Sequence, residues 1–232
     1  MTNQNRKRLY NQLIHITYKP RSKANHQLRA KRANGRGIHS PYLFRFVTTV
    51  LNTQGSYYAF EALEAQQPIK QKRSPLTFRK KEPHPVQRMI FRIVQNHQPT
   101  GMLEIGNRTG MDTQYMINAC PKAICRSFTY SSDSNNEPSL NSILSNLDNL
   151  DFVLFNAPID RKQRMDEFKL CLQKVHDGSL FVVKHIHQTP EQAFTWKLMR
   201  NHPEVQASID LYSLGILFFR NDLPKCKLRI KL

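Results

Sequence analysis

The apolar positions of the chain change rhythm several times, and each change predicts an element. After Pro85, Val86, Met89, Ile90, Ile93 and Val94 recur at helical spacing. The compact run Met102 to Ile105 reads as a buried strand, and Met111 to Ala119 returns to helix. Ile124 to Tyr130 is strand-like, and Asp151 to Phe155 is a second buried strand. Met165 to Val175 predicts an amphipathic helix with Phe168, Leu172 and Val175 inward. Leu180 to Val183 predicts a strand, and Glu191 to Arg200 a helix carrying the only tryptophan, Trp196. Gln206 to Tyr212 and Ile216 to Arg220 read as an antiparallel pair joined by a short turn with Gly215. Cys226 to Leu232 adds a last edge strand. Strands alternating with helices imply an α/β fold: a Rossmann-like, mostly parallel sheet with helices on both faces and a C-terminal antiparallel hairpin.

Upstream of this pattern the reading is looser. Residues 1–36 are basic and polar with no clear apolar period, and are expected to form a flexible tail with at most a helical turn around Leu9 to Ile16. Ser40 suits an N-cap and Pro41 the first helical position, so a helix is expected over Tyr42 to Leu51. Tyr57 to Gln67 predicts a second short helix. Residues 68–83 read as a basic, proline-punctuated linker. Three regions follow: a tail over 1–36, a helical extension and linker over 37–83, and the α/β domain over 84–232.

Charge sharpens this division. Residues 1–100 hold 19 Lys/Arg against 3 Asp/Glu, whereas residues 101–232 hold 16 against 14. The first acidic residue is Glu61. A strongly basic N-terminal half attracts polyanions, so an anionic partner, either nucleic acid or an acidic surface, is expected through residues 1–81. Base stacking needs aromatics, and residues 1–40 offer only Tyr10 and Tyr18. Nucleic-acid binding would therefore fall mainly on phosphates and weaken steeply with salt. The four cysteines form no CxxC pair, which suggests reduced, mostly buried thiols. No apolar run reaches membrane-spanning length, and Leu9 to Tyr18 is too polar for a signal-peptide core. The expected location is cytoplasmic.

The most informative stretch is Gly101 to Thr113. A short strand ends at Gly106, Gly110 follows four residues later, and a helix begins. Glycines there let the backbone approach a ligand closely, and the helix N-terminus favours an anionic one. Glu104, at the strand end, can hold an amine or a hydroxyl. On spacing alone an ordinary βα turn that binds nothing is an equal reading. His185 and His187 follow a strand at the ligand-facing end and are the candidate catalytic residues, with a packed or solvent-facing role as the plainer alternative.

This order of elements resembles that of class I S-adenosylmethionine-dependent methyltransferases. The Glu-x-Gly-x-x-x-Gly turn, Glu104 to Gly110, resembles the branch that includes catechol O-methyltransferase. The chain is also similar to an uncharacterised bacterial methyltransferase-like family. The shared segments are Gly37 to Tyr42, Leu150 to Arg161, Cys171 to His176, Ile186-His187, Trp196 to Pro203 and Ile209 to Arg220. The resemblance implies S-adenosylmethionine as cofactor, held by Glu104, Gly106, Asn107, Gly110, Ser131 and Asn156.

Position by position, the carry-over erodes. Where the family has Ser or Thr at the helix start, this chain has Asp112, whose charge would repel the cofactor carboxylate. The ribose-binding acid falls at Ser131, with Asp133 as a possible stand-in. The acid after the fourth strand falls at Asn156, and the acid after the fifth at Lys184. A Mg²⁺ site needs anionic oxygens, so no metal is expected. Only residues 131–150 separate the second and fourth strands, too few for a full helix-strand-helix insert. Residues Ser131 to Ser145 read as loop, and the third strand or one of its helices is expected to be missing. The favoured reading is a methyltransferase-fold protein that is weakly active or non-catalytic. The alternatives are an active methyltransferase on a small molecule, and a basic protein binding nucleic acid or an anionic surface.

Overall fold

A computed structural model of the chain describes residues 23–32, 34–53, 55–65, 85–106, 109–130 and 138–231. The chain is helical over residues 23–29 (α1) and enters the sheet at β1 (Lys31–Arg32). Helix α2 (Pro41–Arg45) begins where expected, with the Ser40 side chain accepting from the Leu43 N–H. It does not run on as an α-helix to Leu51. Phe46–Leu51 forms a π-helical turn instead. Thr48 and Thr49 bond back to the carbonyls of Phe44 and Arg45, competing with the regular ladder. Helix α3 (Tyr58–Ala65) precedes α4 (Pro85–His97).

The βα units then follow in order: β2 (Gly101–Ile105), α5 (Met111–Ala119), β3 (Ile124–Phe128), α6 (Leu140–Ser145), β4 (Phe152–Phe155), α7 (Arg161–Leu172), β5 (Leu180–Lys184), α8 (Pro190–Arg200), β6 (Ala207–Asp210), β7 (Leu214–Phe218) and β8 (Cys226–Lys231). The sheet order is β1-β8-β6-β7-β5-β4-β2-β3. Strands β3, β2, β4 and β5 are mutually parallel, while β7 runs antiparallel between β5 and β6. Among the described residues the sheet stops at β3, as the short spacing to β4 implied.

Alternation along each strand feeds two cores. Met102, Phe152, Leu154, Val182 and Ile216 pack with α2 to α5 on one face. Leu103, Ile105, Val153, Phe155, Phe181 and Leu217 pack with α6 to α8 on the other. Leu43, Phe46, Val50 and Phe60 share the first core with the sheet. Phe168 is fully buried, and Leu172 and Val175 pack partly buried beside it.

Four details depart from the sequence reading. Leu140–Ser145 is helical rather than loop, because Ser139 caps it and Leu140, Ile143 and Leu144 are buried together. Gly215 lies inside β7 instead of the turn, since a Cβ there would stand 2.6 Å from the Trp196 ring. β8 is not an edge strand. It pairs in parallel with β6 on one side and with β1 on the other. Residues 23–32, within the stretch read as tail, form α1 and β1, and His26 is buried against Asp210. The helical turn read near Leu9 and the linker read over 68–83 lie outside the described residues. Among the described residues no helix is long and apolar enough to cross a membrane.

Candidate functional site

Chain order reverses in the sheet between β2 and β4, and ligands of such sheets bind in the crevice at that switch point. Glu104, Gly106 and Asn156 meet there, beside Gly110 at the N-terminus of α5. Asn107 and Ser131, with Asp133, lie outside the described residues.

The protein's own groups pack closely around Gly106. Gly106 has φ 86°, and a Cβ there would stand 2.4 Å from Ala157 Cβ, 2.8 Å from Ala157 N and 3.1 Å from the Tyr130 ring. The absence of a Cβ at Gly106 thus leaves room for Ala157 and Tyr130. Tyr130 is held by its hydroxyl, which donates to Glu167 Oε1. Glu167 in turn takes Arg164 Nη1 at 3.0 Å, and Arg164 donates to the Ala157 carbonyl. Burial and the Glu167 hydrogen bond push the Tyr130 phenol far above its ordinary range. Only Gly110 faces open space.

The charged positions close on one another. Lys184 Nζ lies 2.7 Å from Asp112 Oδ2, and both side chains are nearly excluded from water. Asn156 Nδ2 donates to the same oxygen at 2.7 Å and to Glu104 Oε1 at 2.6 Å. The Thr113 hydroxyl donates to Glu104 Oε2. Burial pushes the Glu104 carboxyl up, against the Thr113 and Asn156 hydrogen bonds, and the Asp112 charge adds to the rise. Asp112 Oδ1 is buried with no hydrogen-bond partner. This oxygen stands at the helix start, and Lys184 is engaged with the other oxygen of the same carboxylate. Among the described residues no group of His, Cys, Asp and Glu is arranged to hold a metal ion.

The two candidate histidines separate. His185 has a left-handed backbone, φ 64°, and its N–H donates to the Ser213 carbonyl at 2.9 Å. His187 Nε2 lies 2.9 Å from Asp210 Oδ2. Asp210 is 1% exposed and gathers more partners: His26 Nε2 at 3.0 Å, Trp196 Nε1 donating at 3.2 Å and the Tyr212 N–H donating at 3.0 Å. Arg200 Nη1 stands 3.7 Å away. Burial alone would raise the Asp210 carboxyl, but the His187 and His26 contacts outweigh it and hold it far below the usual carboxylate range. The sequence reading passed over Asp210. Its signal was a lone acid inside the apolar run of a strand.

Beside this cluster, at the C-terminal ends of β6 and β8, lies a cavity of about 550 Å³. Its walls come from α1, the residues after the π-helical turn, α4, the β6–β7 turn and the end of β8. Leu51, Val86, Met89, Leu214 and Ile230 contribute apolar surface.

Sheet order, antiparallel pair and glycine turn together define a Rossmann-like methyltransferase fold. Known structures bear this out. The chain is similar to the SAH-bound methyltransferase PaMTH1 of Podospora anserina, with 12% identity and a TM-score of 0.50 over 74% of this chain and 92% of that one. It is likewise similar to cofactor-bound Rv0187 from MTB, with 15% identity and a TM-score of 0.50 over 78% of this chain and 96% of that one. Identities at this level carry fold alone. No family model matches the chain, and no curated protein matches it in sequence.

Proposed function

We propose that this protein is a non-catalytic member of the methyltransferase fold, one that has given up S-adenosylmethionine binding. The Asp112–Lys184 ion pair carries the reading. In the family resembled, these positions hold a cofactor-binding hydroxyl and a carboxylate. Here they hold opposite charges in direct contact, with Asn156 donating to the same Asp112 oxygen. The close packing of Ala157 and Tyr130 around Gly106 supports the same reading. Titration calorimetry with S-adenosylmethionine and S-adenosylhomocysteine tests it. No heat is expected at millimolar ligand. Micromolar binding that disappears in Gly106→Arg would overturn the proposal and restore the enzyme reading.

The excess of 19 Lys/Arg over 3 Asp/Glu in residues 1–100 favours a second role, that of a basic protein held to an anionic surface or nucleic acid through residues 1–81. An electrophoretic shift with single-stranded RNA, compared between the full chain and a chain lacking residues 1–22, tests it. Equal migration of both complexes would remove the N-terminal residues from the role.

A further inference from the structure

The cavity beside Asp210 has the charge of a ligand site. Lys23, His26, Arg88, Arg92 and Lys231 line it, and no acidic residue does so among the described residues. Arg88 is already neutralised, with Nε 2.8 Å and Nη2 3.0 Å from the two oxygens of Glu64. Arg92 Nε donates to the Val50 carbonyl at 3.1 Å. Lys23 and Lys231 are exposed and come from opposite ends of the described chain. The volume lies within the range that takes a small molecule, and the position is the end of the sheet where α/β folds bind ligands.

Backbone strain converges on the same corner. Three non-glycine residues in the described chain have positive φ, and two of them, His185 and Tyr212, meet at the β6–β7 turn. A tyrosine in the left-handed region is strained, because its Cβ crowds the backbone. Such strain persists where surrounding structure enforces it and gathers at binding sites. Here Asp210 takes the Tyr212 N–H, and the Tyr212 ring stacks on His187 with centroids 5.4 Å apart. The edge of His26 packs on the same ring at 5.6 Å. One buried carboxylate thereby fixes an aromatic wall, the turn and α1 together.

We propose that this cavity binds a small molecule carrying a phosphate group on a compact apolar body. Lys23 and Lys231 meet the phosphate, and the apolar body lies against Met89 and the Tyr212 wall. The site is separate from the crevice between β2 and β4, so it stands whether or not that crevice takes a cofactor. It also gives α1 a task, since a ligand held by Lys23 and Lys231 ties the first described helix to the last strand.

The test uses the full chain with phenyl phosphate and pyrophosphate as probes, read by calorimetry and thermal shift against chloride at matched ionic strength. Saturable phenyl phosphate binding is expected, tighter than that of pyrophosphate. Lys23→Glu/Lys231→Glu should weaken it by about tenfold or more while leaving the ligand-free melting temperature unchanged. Ser213→Trp, an exposed position at the cavity wall, should block it independently. Absence of saturable binding at millimolar phenyl phosphate would overturn the proposal. So would equal affinity in the double variant, pyrophosphate binding as tightly as phenyl phosphate, or binding confined to single-stranded RNA. Titration of S-adenosylmethionine into the double variant reports separately on the crevice.

Discussion

His26 and Asp210 stand 184 positions apart in the chain, and His26 Nε2 lies 3.0 Å from Asp210 Oδ1. With His187 on the other oxygen, the carboxylate locks the start of the described chain to the β6–β7 turn. Asp210→Asn keeps the shape but turns an amide N–H₂ toward groups that donate. A loss of about 3 kcal/mol is expected at neutral pH, as for breaking a buried ion pair, measured by urea unfolding.

The pH dependence of that loss has a definite sign. The folded Asp210 carboxyl lies below its unfolded value. Its contribution is complete above the unfolded pKa of about 3.9 and fades as pH falls below it. The stability gap between wild type and Asp210→Asn should therefore hold from neutral pH down to about pH 4 and narrow below it. A gap that widened below about pH 4 would contradict the arrangement.

Glu104 behaves in the opposite sense. Its folded pKa is raised, so its charge costs stability once pH climbs above the unfolded value of about 4.3. Glu104→Gln removes that cost while Thr113 can turn its hydroxyl to accept. The variant should equal or exceed wild type by up to about 1 kcal/mol at neutral pH, and match it at pH 4. A loss of more than about 2 kcal/mol would mean that the carboxylate is needed ionised.

Lys184→Met and Asp112→Asn should each cost about 3 kcal/mol, because each leaves a buried partner unpaired. The double variant should cost less than the sum by about 1.5 kcal/mol or more. Additive losses in this cycle would show that the pair does not couple.

Two glycines give a packing test. Gly106→Ala drives a Cβ toward backbone and Tyr130, and Gly215→Ala drives one into the Trp196 ring. Losses of about 2–4 kcal/mol are expected, with altered tryptophan fluorescence in Gly215→Ala alone. At φ 86° an alanine is strained even in open space, so only the part of the Gly106→Ala loss beyond about 1–2 kcal/mol reports on packing.

Much of the fold was legible because buried strands and helices announce themselves by apolar spacing. Met102 to Ile105, Met111 to Ala119 and Leu180 to Val183 are of this kind. Leu140–Ser145 was misread because serine and asparagine masked a short apolar stripe. Residues 23–32 were invisible to hydropathy, since α1 is fixed largely by one polar contact, His26 to Asp210. The crevice was read as a set of separate losses. Asp112 and Lys184 lie 72 positions apart, and nothing in spacing says that two hostile charges face each other.

That pairing also bears on descent. A chain that acquired the family's hydroxyl and carboxylate by single substitutions would have to change Asp112 or Lys184 first, and either step strands a buried charge. The toll, roughly 3 kcal/mol, is a large share of the 5–15 kcal/mol by which domains stay folded. Selection for a folded chain thus guards the altered crevice without any reference to activity. The exchange works as a ratchet: easy to keep, and hard to reverse one residue at a time.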